Sequence, residues 1–446
     1  MTDFPTGFEQ KYRTLLGADA DAFLASFEAP LHSGYRVNPL RPEAPLTTQG
    51  DPIPWSQWGH FGKVAGNGID HVTGYVYSQE PSAQFVGTAA APVPGEVVLD
   101  LCASPGGKTT HIGSYMAQQG VLVANEINAG RAKVLSSNVE RFGLQNTIVT
   151  NNDPATLAAA WPEAFDRILV DAPCSGEGMF RKDPAAMSYW TPDYPASCAA
   201  RQREILQAAV AMLRPGGTLI YSTCTFSPEE DEQIAAWAQA NLALTLVPLA
   251  KPAGVASGRP EWADGDPRLA NTARLWPHQL AGEGHFVAKF VKAGDAPRRQ
   301  GHAPVASRLT NEQRTSWQTF ARESLTVAFA DRVLVTRRDQ LYALPLATPD
   351  LTRVKVLRPG LHLGTFKKNR FEASHSLATA LAPSAFTQVV PVTDAEYQRY
   401  RHGETLARPA LKGKQTVLLT LADKGFALGK LVNGTIKNAY PKGLRV

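Results

Sequence analysis

Ile168-Leu-Val-Asp171-Ala-Pro-Cys174-Ser-Gly176-Glu-Gly178 is an apolar run that stops at an acid and passes through a rigid proline to a thiol. Such a run, bounded by Pro and Gly, reads as a buried parallel strand, and open α/β sheets bind ligands at the carboxyl ends of these strands. Asp171 and Cys174 are therefore expected to face a pocket. A second run, Gly217-Thr-Leu-Ile-Tyr-Ser-Thr223, delivers Cys224 in the same manner and continues through Thr225, Phe226, Ser227 and Pro228. Two thiols at two strand ends point to one chemistry.

Outward from these runs the pattern stays regular. Strands are expected over 97–101, 120–125, 147–150 and 167–171, in the run ending at 223, and over 285–291. Helices are expected over 109–118, 129–142, 196–213 and 228–240. This alternation implies right-handed crossovers and an α/β fold, a Rossmann-like, doubly wound parallel sheet.

Between the first strand and the first helix lies Asp100-Leu-Cys102-Ala103-Ser104-Pro105-Gly106-Gly107-Lys108-Thr109. Paired glycines let backbone approach a ligand closely, and a helix N-terminus offers N–H groups to an anionic group. The spacing of a phosphate-binding Walker A loop fails, because the position five before Gly107 is Cys102. The second strand ends at Asn125-Glu126, where nucleotide-binding sheets place an acid on the ribose hydroxyls. Asn152-Asp153 follows the third strand and suits an adenine amine. Each acid alone would serve equally as a helix cap. Loop, Glu126, Asp153 and Asp171 at four successive strand ends favour S-adenosylmethionine.

With 446 residues the chain exceeds one core, and three domains are expected: 1–95, 96–293 and 306–446, the last two joined by a polar linker over 294–305. The first holds helical patterns over 5–16 and 19–27, then loops carrying Tyr35, Arg36, Trp55, Trp58, His60, Phe61, Tyr75 and Tyr77. These side chains could stack on unpaired bases or cover the edge of the next domain. The last contains short β-like runs at 333–335, 341–344, 389–392, 417–421 and 426–430 and a helix over 374–382, a small α+β or barrel-like module.

Net charge is +5 but uneven: residues 1–294 carry 21 Lys and Arg against 29 Asp and Glu, whereas 295–446 carry 24 against 11. The basic C-terminal third is expected to meet a polyanion. No apolar run approaches the roughly 18 residues of a membrane span, and the first residues lack a signal peptide's character, so a cytoplasmic monomer is expected. The four cysteines, at 102, 174, 198 and 224, form no Cys-x-x-Cys pair, and no metal site is expected. Reduced thiols are free to act as nucleophiles.

The segments DLCASPGGKT at 100–109, VDAPCSGEGMFRKDP at 170–184 and YSTCTFSPEEDE at 221–232 resemble the NOL1/NOP2/Sun family of RNA cytosine-C5 methyltransferases, within it most closely the bacterial RsmF/YebU branch that acts on small-subunit ribosomal RNA. The likeness extends to Phe27-Glu-Ala-Pro-Leu and Arg36-Val-Asn38 at the front. Near the end, Pro359-Gly-Leu-His-Leu-Gly-Thr-Phe-Lys367-Lys368 and the segment from Leu431 to Arg445 are similar to a PUA-like RNA-binding module. The resemblance implies S-adenosylmethionine held by residues 102–108, Glu126, Asp153 and Asp171, and RNA as substrate, 16S ribosomal RNA first and transfer RNA as the alternative. A ribosome-assembly factor with a vestigial site is disfavoured by the intact Cys174 and Cys224. Amine methylation is disfavoured because such enzymes commonly carry Asn-Pro-Pro-Tyr where this chain has Asp171-Ala-Pro-Cys174.

Methylating cytosine C5 requires a thiolate to add at C6, since C5 alone is a poor nucleophile. Chemistry alone leaves open which thiol attacks, because some DNA cytosine methyltransferases use a Pro-Cys thiol like Pro173-Cys174. The resemblance assigns Cys224 as nucleophile, Cys174 to release and Asp171 to the base near N3. Lys108 and a cationic cofactor are expected to lower a thiol's pKa. Cys198 is expected to be a small buried hydrophobe and Cys102 to pack in its loop. Lys367, Lys368, Arg370, Lys437, Lys442 and Arg445 are the candidates for RNA phosphates.

Overall fold

In the computed structural model, which describes residues 3–295, 309–368 and 370–446, five strands lie parallel. They are β1 (Val97–Asp100), β2 (Val121–Asn125), β3 (Thr147–Thr150), β4 (Phe165–Asp171) and β5 (Leu213–Thr223), in the order β3-β2-β1-β4-β5. Their continuous apolar runs are buried on both faces, as a parallel sheet demands. Helices α1 (Gly107–Tyr115), α2 (Ala129–Phe142), α3 (Pro154–Ala160), α4 (Tyr194–Met212) and α5 (Glu232–Asn241) make the connections. One face packs Leu99, Val123, Ile168 and Leu206, the other Val98, Ile112, Leu122 and Leu135. Strand order reverses between β1 and β4, which opens a crevice at their carboxyl ends.

The whole sheet has ten strands, and its edges are antiparallel. β6 (His285–Lys292) runs against β5, with Phe286 opposite Thr223, and short strands Ala273–Leu275 and Val255–Ser257 follow outward. At the other edge Val356–Arg358, from the C-terminal third, pairs with β3 through Val356 and Thr150. Strands of three residues carry too little periodicity to be read from sequence.

Helix ends follow local chemistry. α1 starts two residues earlier than the spacing predicts, because Gly106 at φ 114° turns the chain into it. α2 is capped by Asn128, which accepts from the amides of Gly130 and Arg131. α5 begins at Glu232 rather than 228, because Glu230 and Asp231 are spent on buried contacts: Asp231 accepts from Thr223 at 2.6 Å and pairs with Arg274 at 3.0 Å.

Ahead of the sheet, helices Phe8–Leu16 and Ala20–Ser26 precede a small antiparallel sheet of Gly59–Phe61, Gly34–Val37 and Val76–Ser78. Of its aromatic side chains Tyr35, Trp55, Tyr75 and Tyr77 are buried rather than awaiting bases, while Trp58, His60 and Phe61 are half-buried. Arg36 is fully enclosed, donating to the Gly107 carbonyl at 2.8 Å and to Thr110 at 2.7 Å, and burial pulls its guanidinium down to about 9.

Beyond the ten-stranded sheet, Arg332–Arg337, Gln340–Pro345, Leu361–Lys367 and Arg370–Ala373 form a four-stranded antiparallel sheet. Val389–Pro391, Lys414–Leu421, Lys424–Val432, Thr435–Asn438 and Leu406–Ala407 form a five-stranded one. Helix Asn311–Ser324 escaped the sequence reading although its capping box, Thr310 with Gln313, was there to be found. Of the expected linker, residues 296–305 lie outside the described residues. Among the described residues no helix is long and apolar enough to cross a membrane.

Candidate active site

β4 and β5 are neighbours in register, Val170 opposite Tyr221 and Asp171 opposite Ser222, so their loops leave from one edge. Ser222 donates to Asp171 at 2.7 Å. The loops then converge: Cys174 Sγ lies 3.3 Å from Cys224 Sγ, and the Gly178 amide donates to the Cys224 carbonyl at 2.9 Å. Gly178 eases that approach, since a Cβ there would stand 3.0 Å from the same carbonyl oxygen and force a neighbour to give.

Lys108 Nζ sits 2.8 Å from Asp171. Burial opposes the ammonium charge, but Asp171 outweighs it and holds Lys108 above its usual range. The hydrogen bond of Cys174 with Cys224, and then burial, push the Cys174 thiol well up. Cys174 therefore keeps its proton at neutral pH. Cys198 is buried and raised to about 11 by burial, and Cys102 is likewise raised by burial.

Beside the thiols opens a cavity of about 750 Å³. Cys102 and Ser104 of the glycine loop line it, with Glu126, Asp153, Asp171, Cys174 and Cys224. Ala103, Pro105, Gly106 and Gly107 shape the loop behind this wall: the Ala103 amide donates to the Asn125 carbonyl and the Pro105 carbonyl accepts from Asn138, both at 2.8 Å. Glu126 is 3% exposed and accepts from the Asn128 amide at 2.8 Å. Asp153 has two duties, lining the cavity and capping α3 through the Thr156 amide at 2.8 Å, so the helix-cap alternative holds for this acid too.

Sequence reasoning missed the apolar and α4 walls. Ile127 is 65% exposed beside Glu126, an unusual placement that the cavity explains. Arg201, Glu204, Ile205 and Ala208 line the opposite side, and their helical spacing was the signal that could have found them. Glu177 and Glu230 were missed as well. Each is buried between the two thiol loops, and in sequence each reads as a solvated acid.

The donor set fits S-adenosylmethionine. Carboxylates suit ribose hydroxyls, an exocyclic amine and a sulfonium, Ile127, Pro154 and Ile205 suit a purine face, and the volume lies within the range of small-molecule sites. The six basic candidates for RNA lie away from this cavity. Lys367 sits 3.7 Å from Asp339, Arg370 pairs with Glu372, and Arg445 is tied to Asn438 and Tyr440, while Lys368, Lys437 and Lys442 are exposed.

Residues 88–291 match the family described as 16S rRNA methyltransferase RsmB/F. Residues 4–81 match the N-terminal domain of 16S rRNA methyltransferase RsmF, 319–381 the RsmF rRNA methyltransferase first C-terminal domain, and 387–446 the methyltransferase RsmF PUA domain. The ribosomal RNA small subunit methyltransferase F of Pectobacterium atrosepticum is 32% identical over 95% of this chain and 91% of its own length. That of Enterobacter sp. (strain 638) is 32% identical over 99% and 96%. Among solved structures, a methyltransferase homolog protein from Pyrococcus horikoshii superposes with a TM-score of 0.56 and 29% identity, covering 64% of this chain and 93% of its own. NSun6 from Pyrococcus horikoshii with SFG shares the fold at a TM-score of 0.55 and 20% identity, over 66% of this chain and 99% of its own. With four family descriptions in order along its length and relatives aligned over nearly all of it, the chain belongs to the 16S rRNA methyltransferase RsmB/F family.

Proposed function

We propose that this chain is an S-adenosylmethionine-dependent methyltransferase that forms 5-methylcytosine in small-subunit ribosomal RNA, with Cys224 as the attacking thiol. The observation that carries the reading is the pair of sulfur atoms 3.3 Å apart at the rim of a nucleoside-sized cavity. Bound S-adenosylmethionine supplies an electrophilic methyl group. Everything else falls to the chain.

Cys224, as thiolate, bonds to C6 while N3 takes up a proton from solvent, and Asp171, held by Lys108 and Ser222, accepts a hydrogen bond from that N3–H. The ring becomes an enamine whose C5 is nucleophilic. After methylation the C5 and N3 protons pass to solvent water and the C6–sulfur bond breaks, restoring the aromatic ring and the thiolate. Cys174, still protonated beside the departing sulfur, assists that release. The target base must leave its stack to reach the thiols, so unpaired or loop cytidines are the substrates. The basic C-terminal sheets supply affinity for the phosphate backbone, through Lys367, Lys368, Arg370, Lys437, Lys442 and Arg445.

Denaturing gels of single variants with small-subunit ribosomal RNA, and transfer RNA alongside, test this. Cys224→Ala is expected to abolish methylation and any covalent complex, whereas Cys174→Ala attacks but stalls, leaving protein linked to ribosomal RNA. An adduct that survives in Cys224→Ala would reverse the two roles.

A further inference from the structure

Three oxygen-to-oxygen contacts run in line between the two thiol loops: Glu230 to Ser175, Ser175 to Thr225 at 2.7 Å, and Thr225 to Glu177 at 2.9 Å. Ser175 directly follows Cys174, and Thr225 directly follows Cys224, so this line ties together the residues next to each sulfur. All four side chains are buried.

Each contact needs one proton, and the two hydroxyls supply two. A carboxyl must carry the third. Glu177 is occupied as an acceptor: the Phe226 amide, the Trp190 indole, and the hydroxyls of Ser227 and Tyr12 also donate to its two oxygens. On Glu230, Oε1 accepts from the Ser175 amide at 3.0 Å and from Gln202 at 2.9 Å, while Oε2 meets the Ser175 hydroxyl. We propose that Glu230 carries a proton on Oε2, and that the directed chain from Glu230 through Ser175 and Thr225 to Glu177 is a brace that sets the distance between Cys174 and Cys224. Glu177 and Glu230 are then positioning residues.

Burial pushes Glu230 up to about 7, the direction the proton count requires. The titratable groups around it are Glu177, Asp231, Cys174, Cys198 and Tyr221; the Arg274 guanidinium stands beyond Asp231, paired with it at 3.0 Å. When Glu230 loses its proton to solvent, the Ser175 hydroxyl must choose between Glu230 and Thr225. One contact is lost, two carboxylates share a dry site, and the loops are released to part.

The significance for turnover rests on the two-thiol reading above. The test does not, since it uses neither RNA nor cofactor. Diamide, a diazene that takes two electrons and two protons from a pair of thiols, closes Cys174 and Cys224 into a disulfide in the full-length protein. The rate is read by mass mapping of the bridged peptides at about pH 6 and about pH 8.5, on either side of the Glu230 midpoint.

Glu230→Gln, whose side-chain amide donates where the carboxyl proton did, is expected to match the parent at the lower pH. At the higher pH it is expected to outpace the parent about fivefold, because only the parent loses its brace. Glu230→Ala is expected to bridge about tenfold more slowly than the parent at the lower pH. Should that variant fail to fold by circular dichroism, Ser175→Ala removes the central hydroxyl, keeps both carboxylates and is expected to slow in the same way. A parent-to-Glu230→Gln ratio that stays constant between the two pH values, or alanine variants that bridge at the parental rate, would overturn the brace.

Discussion

Cys174 and Cys224 come from residues 50 apart in sequence, yet their sulfur atoms lie 3.3 Å apart, because Asp171 and Ser222 stand opposite each other on adjacent parallel strands. The strands aim the loops, while the side chains between the loops hold the final spacing. Thiol chemistry at this site is therefore sensitive to groups that touch neither sulfur.

Gly178 is one such group. A methyl there would stand 3.0 Å from the Cys224 carbonyl and 3.1 Å from that of Gly284, both fixed backbone. Gly178→Ala is expected to lower single-turnover methylation about tenfold by moving the second loop, in line with the cost of small misplacements. Cofactor affinity, measured by calorimetry, should stay at the parental value, because residue 178 does not line the cavity.

Glu126 and Asp153 separate two kinds of loss. Glu126→Ala removes a buried acceptor from the cavity wall and should weaken cofactor binding by about 1–3 kcal/mol. Asp153→Ala also strips the cap from α3 and should lower stability by about 1 kcal/mol. Calorimetry reads the first loss and thermal melts of Asp153→Ala read the second.

Stability should fall as pH rises through neutrality. Burial raises the carboxyls of Asp100 and Glu230, each to about 7, so both bind a proton more tightly in the fold than in the unfolded chain. Their contribution is fully present below the ordinary carboxyl range, near pH 4, and is lost as pH climbs through about 7. Glu230→Gln cancels one of the two. Its melting temperature relative to the parent should rise steadily between about pH 5 and pH 8, and a flat difference across that window would contradict the assignment.

Salt reads out the C-terminal sheets. Lys368, Lys437 and Lys442 are exposed. Replacing all three with alanine should reduce the slope of log affinity for ribosomal RNA against log salt by about two to three units. Cofactor affinity of the same variant, far from the cavity, should not move.

Much of this molecule was legible in one dimension. The five parallel strands carry continuous apolar runs, α2 carries its own cap at Asn128, and both Cys loops are announced by the break from apolar run to Pro, Gly or polar residues. The glycine loop, Glu126, Asp153 and Asp171 each sit at a strand end, so the cavity they share follows once the strands are parallel. Arg36 and its aromatic neighbours were ambiguous, because stacking on a base and packing against α1 call for the same side chains. Burial resolved that choice for Arg36, Tyr35, Trp55, Tyr75 and Tyr77.

Local sequence could determine these features because strand and helix periods, caps and turns are properties of neighbouring residues. Tertiary structure alone decided the rest: that Val356–Arg358 closes the parallel sheet, that Lys108 pairs with Asp171, and that Glu177 and Glu230 cross between the loops. Those outcomes depend on which distant groups become neighbours and on how far water is excluded from them. A chain read residue by residue carries no record of either.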